Sequence, residues 1–101
     1  MPVIDLAWHL DLPFWANGGK PFKVRPSAVA ADRSRYPAQW ERTMAADLRF
    51  ALHARTRSTG QVVILDGIHR LLKASILGWP TVNVRLLTEA DLDDIAIAAP
   101  R

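Results

Sequence analysis

The stretch that decides the fold runs from residue 62 to residue 78 and reads Val62-Val63-Ile64-Leu65-Asp66-Gly67-Ile68-His69-Arg70-Leu71-Leu72-Lys73-Ala74-Ser75-Ile76-Leu77-Gly78. Its first four residues form an unbroken apolar run, which is typical of a buried strand. The apolar residues that follow recur at helical spacing, and Gly78 and Pro80 are helix stop signals. The stretch therefore predicts a buried strand that passes through Asp66 and Gly67 directly into a helix.

The junction between this strand and this helix has the properties of an anion-binding site. The first amides of a helix have no partner within it, and the helix dipole makes that end positive. Gly67 is expected to leave the backbone open to a ligand, and His69, Arg70 and Lys73 can share one helical face. Cationic side chains at this positive end are unfavourable by up to about 1 kcal/mol each, and a bound anion offsets that unfavourable energy. We therefore predict that Gly67, His69, Arg70 and Lys73 bind a phosphate-like anion. The alternative is an ordinary solvated helix face.

Asp66, the residue before Gly67, has two candidate roles. It can cap the N-terminus of the helix that follows. It can instead hold Mg²⁺ beside bound phosphates, because hard cations prefer carboxylate oxygens. In the second role Asp66 is a metal ligand and also a predicted catalytic residue. His69 is a further predicted catalytic residue.

The N-terminal segment supplies a second group of candidates. Residues 3–12 alternate between apolar and polar positions, which predicts a strand with one buried face. Asp5, His9 and Asp11 would lie on its outer face. Asp11 or Asp5 is then a candidate general base toward a substrate hydroxyl, with His9 positioning it or helping to hold a divalent ion. The alternative is a polar strand face without a catalytic role.

The other segments have strand or helix signals of their own. A loop is predicted over much of residues 20–35, with a short helix near residues 27–31. A second helix is predicted to begin at Pro37, with an apolar stripe of Trp40, Met44 and Leu48, and a third is predicted after Thr88. Strands are predicted over residues 49–55 and 82–86. The four tryptophans are expected in the core rather than as stacking surfaces. This order of elements predicts an α+β fold with a small mixed β-sheet and packed helices, as a single domain over residues 1–101.

Positive charge is concentrated in the middle of the chain. The 101 residues carry a formal net charge of +3, but residues 20–57 hold nine basic side chains against three acidic ones. Ten of the 13 basic residues are arginine, which grips phosphate or carboxylate through two parallel hydrogen bonds. We therefore expect an arginine-rich solvated surface, and the alternative is a patch that faces an anionic partner such as a nucleic acid.

Composition also excludes several classes of site. The chain has no cysteine, which excludes disulfides, zinc–thiolate sites, iron–sulfur clusters and thiol catalysis. No apolar run approaches the roughly 20 residues of a membrane span. The N-terminus lacks the basic and apolar segments of a signal peptide. We therefore expect a soluble, cytoplasmic protein with no membrane partner.

The chain resembles the ParB/sulfiredoxin superfamily in the order of its elements and motifs. That order is a strand, the motif Asp66-Gly67-Ile68-His69-Arg70, a helix, the motif Gly78-Trp79-Pro80 and a further strand. The resemblance extends along the whole chain. In that superfamily the Gly-x-x-Arg tetrad grips nucleotide phosphates. ParB proteins bind CTP, sulfiredoxins bind ATP, related free-serine kinases transfer phosphate, and some members are described as nucleases. The resemblance implies that Gly67, Ile68, His69 and Arg70 line a phosphate site. We therefore expect a nucleotide such as ATP, ADP or CTP as cofactor, with Mg²⁺ if Asp66 takes the metal-binding role considered above.

Two departures from the superfamily pattern narrow the expected function. Ile68 stands where sulfiredoxins have their catalytic cysteine, which excludes sulfinic-acid repair. ParB clamps have an acidic residue and two arginines after the glycine, where this chain has Ile68, His69 and Arg70, and we expect no helix-turn-helix to follow. We therefore expect a domain that binds a nucleotide or phosphorylated small molecule, as a phosphotransferase or a phosphate-ester hydrolase. The alternatives are a DNA-binding protein or nuclease of the ParB-like class, and an interaction module without catalysis.

Overall fold

The computed structural model describes residues 1–17 and 20–88. The helices of this part are α1 (Val3–Leu6), α2 (Pro26–Ala31), α3 (Pro37–Ala45) and α4 (Ile68–Ile76), with a 3₁₀ segment at Ala7–Asp11, and the strands are β1 (Trp15–Asn17), β2 (Lys20–Val24), β3 (Leu52–Thr56), β4 (Val62–Asp66) and β5 (Val84–Leu86). The helix predicted after Thr88 lies outside the described residues.

β3 is the central strand of a three-stranded mixed sheet with the order β4-β3-β5. β4 follows it through a turn at residues 58–60 and pairs with it antiparallel, and β5 pairs with it parallel. β1 and β2 form a separate antiparallel pair. Helices pack on these sheets, which confirms the predicted α+β class with small mixed sheets.

The deciding stretch forms the predicted strand and helix, but the prediction that the strand is buried is wrong. β4 is an edge strand of its sheet, in which Ile64 is buried and Leu65 is 45% exposed. α4 buries Leu71, Leu72 and Ala74 and ends shortly before Gly78, the predicted stop signal. Gly78 has a φ of 74°, and the N–H that follows it, on Trp79, donates to the carbonyl of Ala74 at 2.9 Å. This is the left-handed helix ending that favours glycine.

The predicted strand over residues 3–12 is wrong, because this segment is helical. Val3, Leu6 and Leu10 are buried, whereas Ile4 is 82% exposed. Spacing of i, i+3 and i+7 belongs to one face of a helix, and a strand would have buried Ile4 with Leu6. The shared outer face predicted for Asp5, His9 and Asp11 therefore does not exist.

His9 is in the core, with a side chain only 1% exposed. Its Nδ1 donates to the carbonyl of Leu6 at 2.8 Å, and its Nε2 accepts from the backbone N–H of Ile64 at 3.0 Å. Burial lowers the pKa of His9, because the charged ring loses its hydration. The neutral imidazole thus joins the N-terminal segment to β4.

Two further expectations change. Lys20–Val24 forms a strand where a loop was expected, although the helix predicted near residues 27–31 is confirmed. The tryptophans also differ among themselves. Trp15 belongs to the core, whereas Trp79 is 47% exposed, so the expectation of a core position for Trp79 is wrong.

Candidate functional site

A cavity of about 270 Å³ lies at the N-terminal end of α4, lined by residues 65–70 together with Trp15 and Ala46. The first turn of α4 closes with a bond from the N–H of Leu71 to the carbonyl of Gly67 at 3.0 Å. The amides of residues 68–70 precede this bond, so they lie at the open, positive end of the helix. The structure therefore brings Gly67, Ile68 and the two residues after them to one cavity, as predicted.

Gly67 is required here for a different reason from the one expected. Its φ of 114° lies in the left-handed region, and a Cβ at this position would lie 2.9 Å from Cγ of Leu52. The missing side chain thus makes room for β3 rather than for a ligand. Gly67 is also the cap residue of α4, with no side-chain capping bond, so the capping role considered for Asp66 is wrong.

Arg70 is held in a fixed position at the cavity. Its Nη1 donates to the backbone carbonyl of Ala51, and its Nη2 lies 3.4 Å from Oδ2 of Asp66. The Arg70 side chain is 21% exposed. A guanidinium has five N–H donors, so these two contacts leave donors for a ligand in the cavity that Arg70 lines.

His69 is packed against a residue that the sequence did not connect with it. Its ring stacks on Trp15, with 4.4 Å between the centroids, and its Nε2 lies 2.9 Å from the acceptor Oε1 of Gln39. Burial first, and then the charge of Arg42, lower the pKa of His69. The ring is therefore held neutral, and Arg42 adds positive potential beside the cavity.

Asp66 is the carboxylate at this cavity, and its side chain is 65% exposed. Within residues 1–17 and 20–88, no cluster of three His, Cys, Asp or Glu side chains is placed to hold a metal ion. Mg²⁺ commonly binds through one or two carboxylates together with substrate phosphates and water. Asp66 fits that arrangement, so the metal would bind with the ligand rather than before it.

Lys73 is not brought to the cavity at the start of α4. Its Nζ donates to the carbonyls of Met44 and Ala46, both at 2.8 Å. These carbonyls end α3, and a cation is stabilised at the negative end of a helix. The prediction that Lys73 shares one binding face with His69 and Arg70 is therefore wrong, and Lys73 lines a different cavity.

The N-terminal candidates are also elsewhere. Asp5 lines a separate cavity with Trp8 and Gln61. Asp11 is exposed in the 3₁₀ segment, and His9 is buried with both ring nitrogens bonded. The structure thus brings none of these three side chains to the lining of the α4 cavity.

Sequence reasoning missed Trp15 and Gln39, which support His69. Gln39 is 30 positions away from His69 in the chain. Neither residue belongs to a local motif, so only a prediction of how α3 and β1 pack beside α4 could have found them.

Comparison of this chain with known protein families, with curated proteins and with solved structures finds no match. In the part of the chain that the structure describes, no helix has the length and apolar character needed to cross a bilayer. The longest helices there, α3 and α4, have nine residues each.

Proposed function

We propose that this domain binds the phosphate of a nucleotide or a phosphorylated small molecule in the cavity at the N-terminal end of α4. The observation that carries the proposal is the convergence of three features on one 270 Å³ cavity. These are the first amides of α4, the guanidinium of Arg70 and the carboxylate of Asp66. Resemblance to the ParB/sulfiredoxin superfamily, on the Gly67 to Arg70 tetrad, points to the same ligand class.

The electrostatics of the cavity favour a phosphate group. Amides at a helix N-terminus point toward a bound anion, and the helix dipole stabilises its charge. Arg70 can add a two-point contact to phosphate oxygens. Because Ala51 and Asp66 already hold the guanidinium, little side-chain entropy is lost when a ligand binds.

The size of the cavity limits what it holds. Ligand sites for drug-sized molecules are about 300–1,000 Å³, and this one is about 270 Å³. The cavity therefore suits the phosphate end of a ligand, and the remainder of the molecule extends beyond it.

Asp66 determines the need for a metal. Its carboxylate would repel a bare phosphate in the cavity, and a Mg²⁺ ion held by Asp66 would offset that repulsion. When bound, the ion would supply charge stabilisation for phosphoryl transfer or phosphate-ester hydrolysis. The protein groups that can accept a proton at the cavity are His69 and Asp66. We do not propose His9 and Asp11 for this step, since neither lines the cavity.

Calorimetry with ATP, ADP, CTP and inorganic phosphate, each with Mg²⁺, tests the proposal. We expect at least one of the four to bind, and Arg70→Ala to weaken binding by about 10-fold or more through lost charged hydrogen bonds. Arg85→Ala, on exposed β5, is the matched control and should bind as the wild type does. Thermal unfolding of both variants separates lost binding from lost structure. Absence of binding by all four ligands overturns the proposal.

A second candidate function, nucleic-acid binding, is favoured by the exposed arginines of residues 20–57. Among contacts within residues 1–17 and 20–88, Arg49 is the only arginine of that segment in an ion pair, with Asp47. The guanidinium of Arg33 lies 5.4 Å from the ring centroid of Trp40. Binding to DNA should then weaken steeply with salt, because each phosphate contact releases counterions. Absent or salt-independent binding to single- and double-stranded DNA overturns this candidate.

A further inference from the structure

A second cavity, of about 650 Å³, lies beside the C-terminal part of α4. It shares Ala46 with the cavity at the start of α4, and the rest of its lining is different. Its larger apolar side chains are those of Leu48, Leu77 and Trp79. Sites for small organic molecules have volumes of about 300–1,000 Å³ and mostly apolar walls, so this cavity has the size and the walls of such a site.

The charged side chains of this cavity sum to one positive charge. They are those of Lys73, Arg49 and Asp47. Nη2 of Arg49 lies 2.8 Å from Oδ2 of Asp47, and the hydrogen bonds from Arg49 lower the pKa of Asp47 to about 2. Asp47 is therefore ionised at neutral pH and its charge offsets that of Arg49, which leaves the ammonium of Lys73 as the net charge.

Two cationic groups of the cavity retain hydrogen-bond donors for a ligand. Nζ of Lys73 donates to two carbonyls at the end of α3, and an ammonium has three N–H donors. Arg49 uses its Nε and Nη2 on Asp47. Among the described residues, the third N–H of Lys73 and the Nη1 group of Arg49 have no further acceptor. These donors suit a carboxylate, which only accepts hydrogen bonds when ionised.

We propose that this cavity binds a small organic acid, in which an apolar aromatic or aliphatic body carries a single carboxylate. The carboxylate accepts the remaining N–H of Lys73, and the apolar body covers Leu77 and Trp79. One negative charge matches the net charge of the lining, whereas a phosphate monoester carries about −1.5 to −2 at neutral pH. This ligand differs from that of the proposed phosphate site, and the inference does not depend on that site.

The apolar wall and the ammonium are held in place before a ligand arrives. Trp79 is 47% exposed and Leu77 is also exposed, so an apolar ligand removes both surfaces from water, which is favourable. The N–H of Trp79 is fixed on the carbonyl of Ala74, and Lys73 is held by its two carbonyls. Because these groups are already ordered, little conformational entropy is lost on binding.

Matched pairs of ligands test the inference without altering the protein. Hydrocinnamate and hexanoate are titrated into the full chain beside their neutral amides, hydrocinnamamide and hexanamide, and binding is followed by amide NMR. At least one acid should bind about 10- to 150-fold more tightly than its amide, the range expected for a hydrogen bond to a charged group. The largest shifts should occur at Lys73, Leu77 and Trp79. Equal affinity of each acid and its amide, absence of binding by both acids, or the largest shifts elsewhere overturns the proposal.

A pair of variants then places the carboxylate in the cavity. Asn83→Asp adds a negative charge to an exposed side chain of the lining and keeps its shape. It should weaken binding of the acid by about 3- to 10-fold through charge repulsion and leave binding of the amide unchanged. Gln61→Glu makes the same change on an exposed side chain outside this cavity and should change neither. Thermal unfolding of both variants checks that they fold, and equal effects of the two on the acid overturn the proposal.

Discussion

The backbone N–H of Ile64 donates a hydrogen bond to Nε2 of His9 at 3.0 Å, across 55 positions of the chain. The bond requires a neutral imidazole, because a protonated Nε2 would direct its own hydrogen at the amide. Ile64 lies in β4, the strand that ends at Asp66. A buried histidine thus fixes the strand that leads into the candidate site.

This relationship predicts that acid destabilises the protein. Burial lowers the pKa of His9 from 6.5, so below pH 6.5 the unfolded chain binds a proton that the folded chain does not. The free energy of unfolding should therefore fall as pH falls from 6.5 toward the lower folded pKa, by at most about 1.4 kcal/mol per pH unit for this residue. His69, whose pKa is lowered too, acts in the same direction.

Urea unfolding at pH 7.5 and pH 5.5 measures the loss, and an NMR titration of the His9 ring assigns it. His9→Gln, which keeps an acceptor but has no titration, should show a smaller loss over the same range. A His9 ring that titrates at or above pH 6.5 in the folded protein contradicts this account.

Gly67→Ala should be strongly destabilising, because the new methyl group would lie 2.9 Å from Cγ of Leu52 at a φ of 114°. We expect a loss of about 2–4 kcal/mol from backbone strain and overpacking together. Gly78→Ala is the matched control. It also has a positive φ, but no atom lies within 4 Å of the added group, so it should lose only about 1–2 kcal/mol. Equal losses in chemical denaturation would show that the contact with Leu52 is unimportant.

Lys73→Met should weaken the attachment of α3 to α4. The substitution removes the ammonium from the carbonyls of Met44 and Ala46, and we expect a loss of about 1–3 kcal/mol. Lys23→Met, on an exposed lysine of β2, should change stability by less than about 0.5 kcal/mol. Similar unfolding curves for the two variants would contradict the capping role of Lys73.

Asp66→Asn should change phosphate binding in opposite directions with and without metal. In EDTA the variant should bind ADP more tightly than the wild type, because a negative charge has been removed from the cavity. In Mg²⁺ it should bind ADP less tightly, because a metal ligand has been lost. Asp32→Asn, on an exposed residue after α2, is the control. Calorimetry in both buffers provides the measurement, and an effect of the same sign in both argues against a metal at Asp66.

The central unit of the fold could be predicted because its signals are local. The apolar run of β4, the glycine at residue 67 and the stop signal at Gly78 lie next to one another in the chain. The N-terminal segment could not be predicted in the same way, because Leu6 and Leu10 fit both the strand and the helix period. Tertiary contacts decide between them, such as the bond from the N–H of Val3 to the carbonyl of Pro80 at 2.9 Å.

In the candidate site, too, the parts that depend on local sequence could be predicted and the parts that depend on packing between elements could not. Residues 67–70 are consecutive at a strand–helix junction, so their arrival at one cavity follows from the two elements alone. The position of Lys73 depends on where α3 ends, since the carbonyls of Met44 and Ala46 attract its ammonium. Helical spacing predicts the face on which a side chain starts, but the neighbouring helix determines where its charged end lies.

Amide NMR during a titration with ADP and Mg²⁺ tests the central claim most directly. We predict that the largest shifts among assigned amides occur at Ile68, His69 and Arg70, where the first turn of α4 would receive the phosphate. The same shifts should be lost in Arg70→Ala and retained in Arg85→Ala. An unchanged spectrum in this turn at saturating ADP, or the largest shifts elsewhere in the chain, would contradict the account.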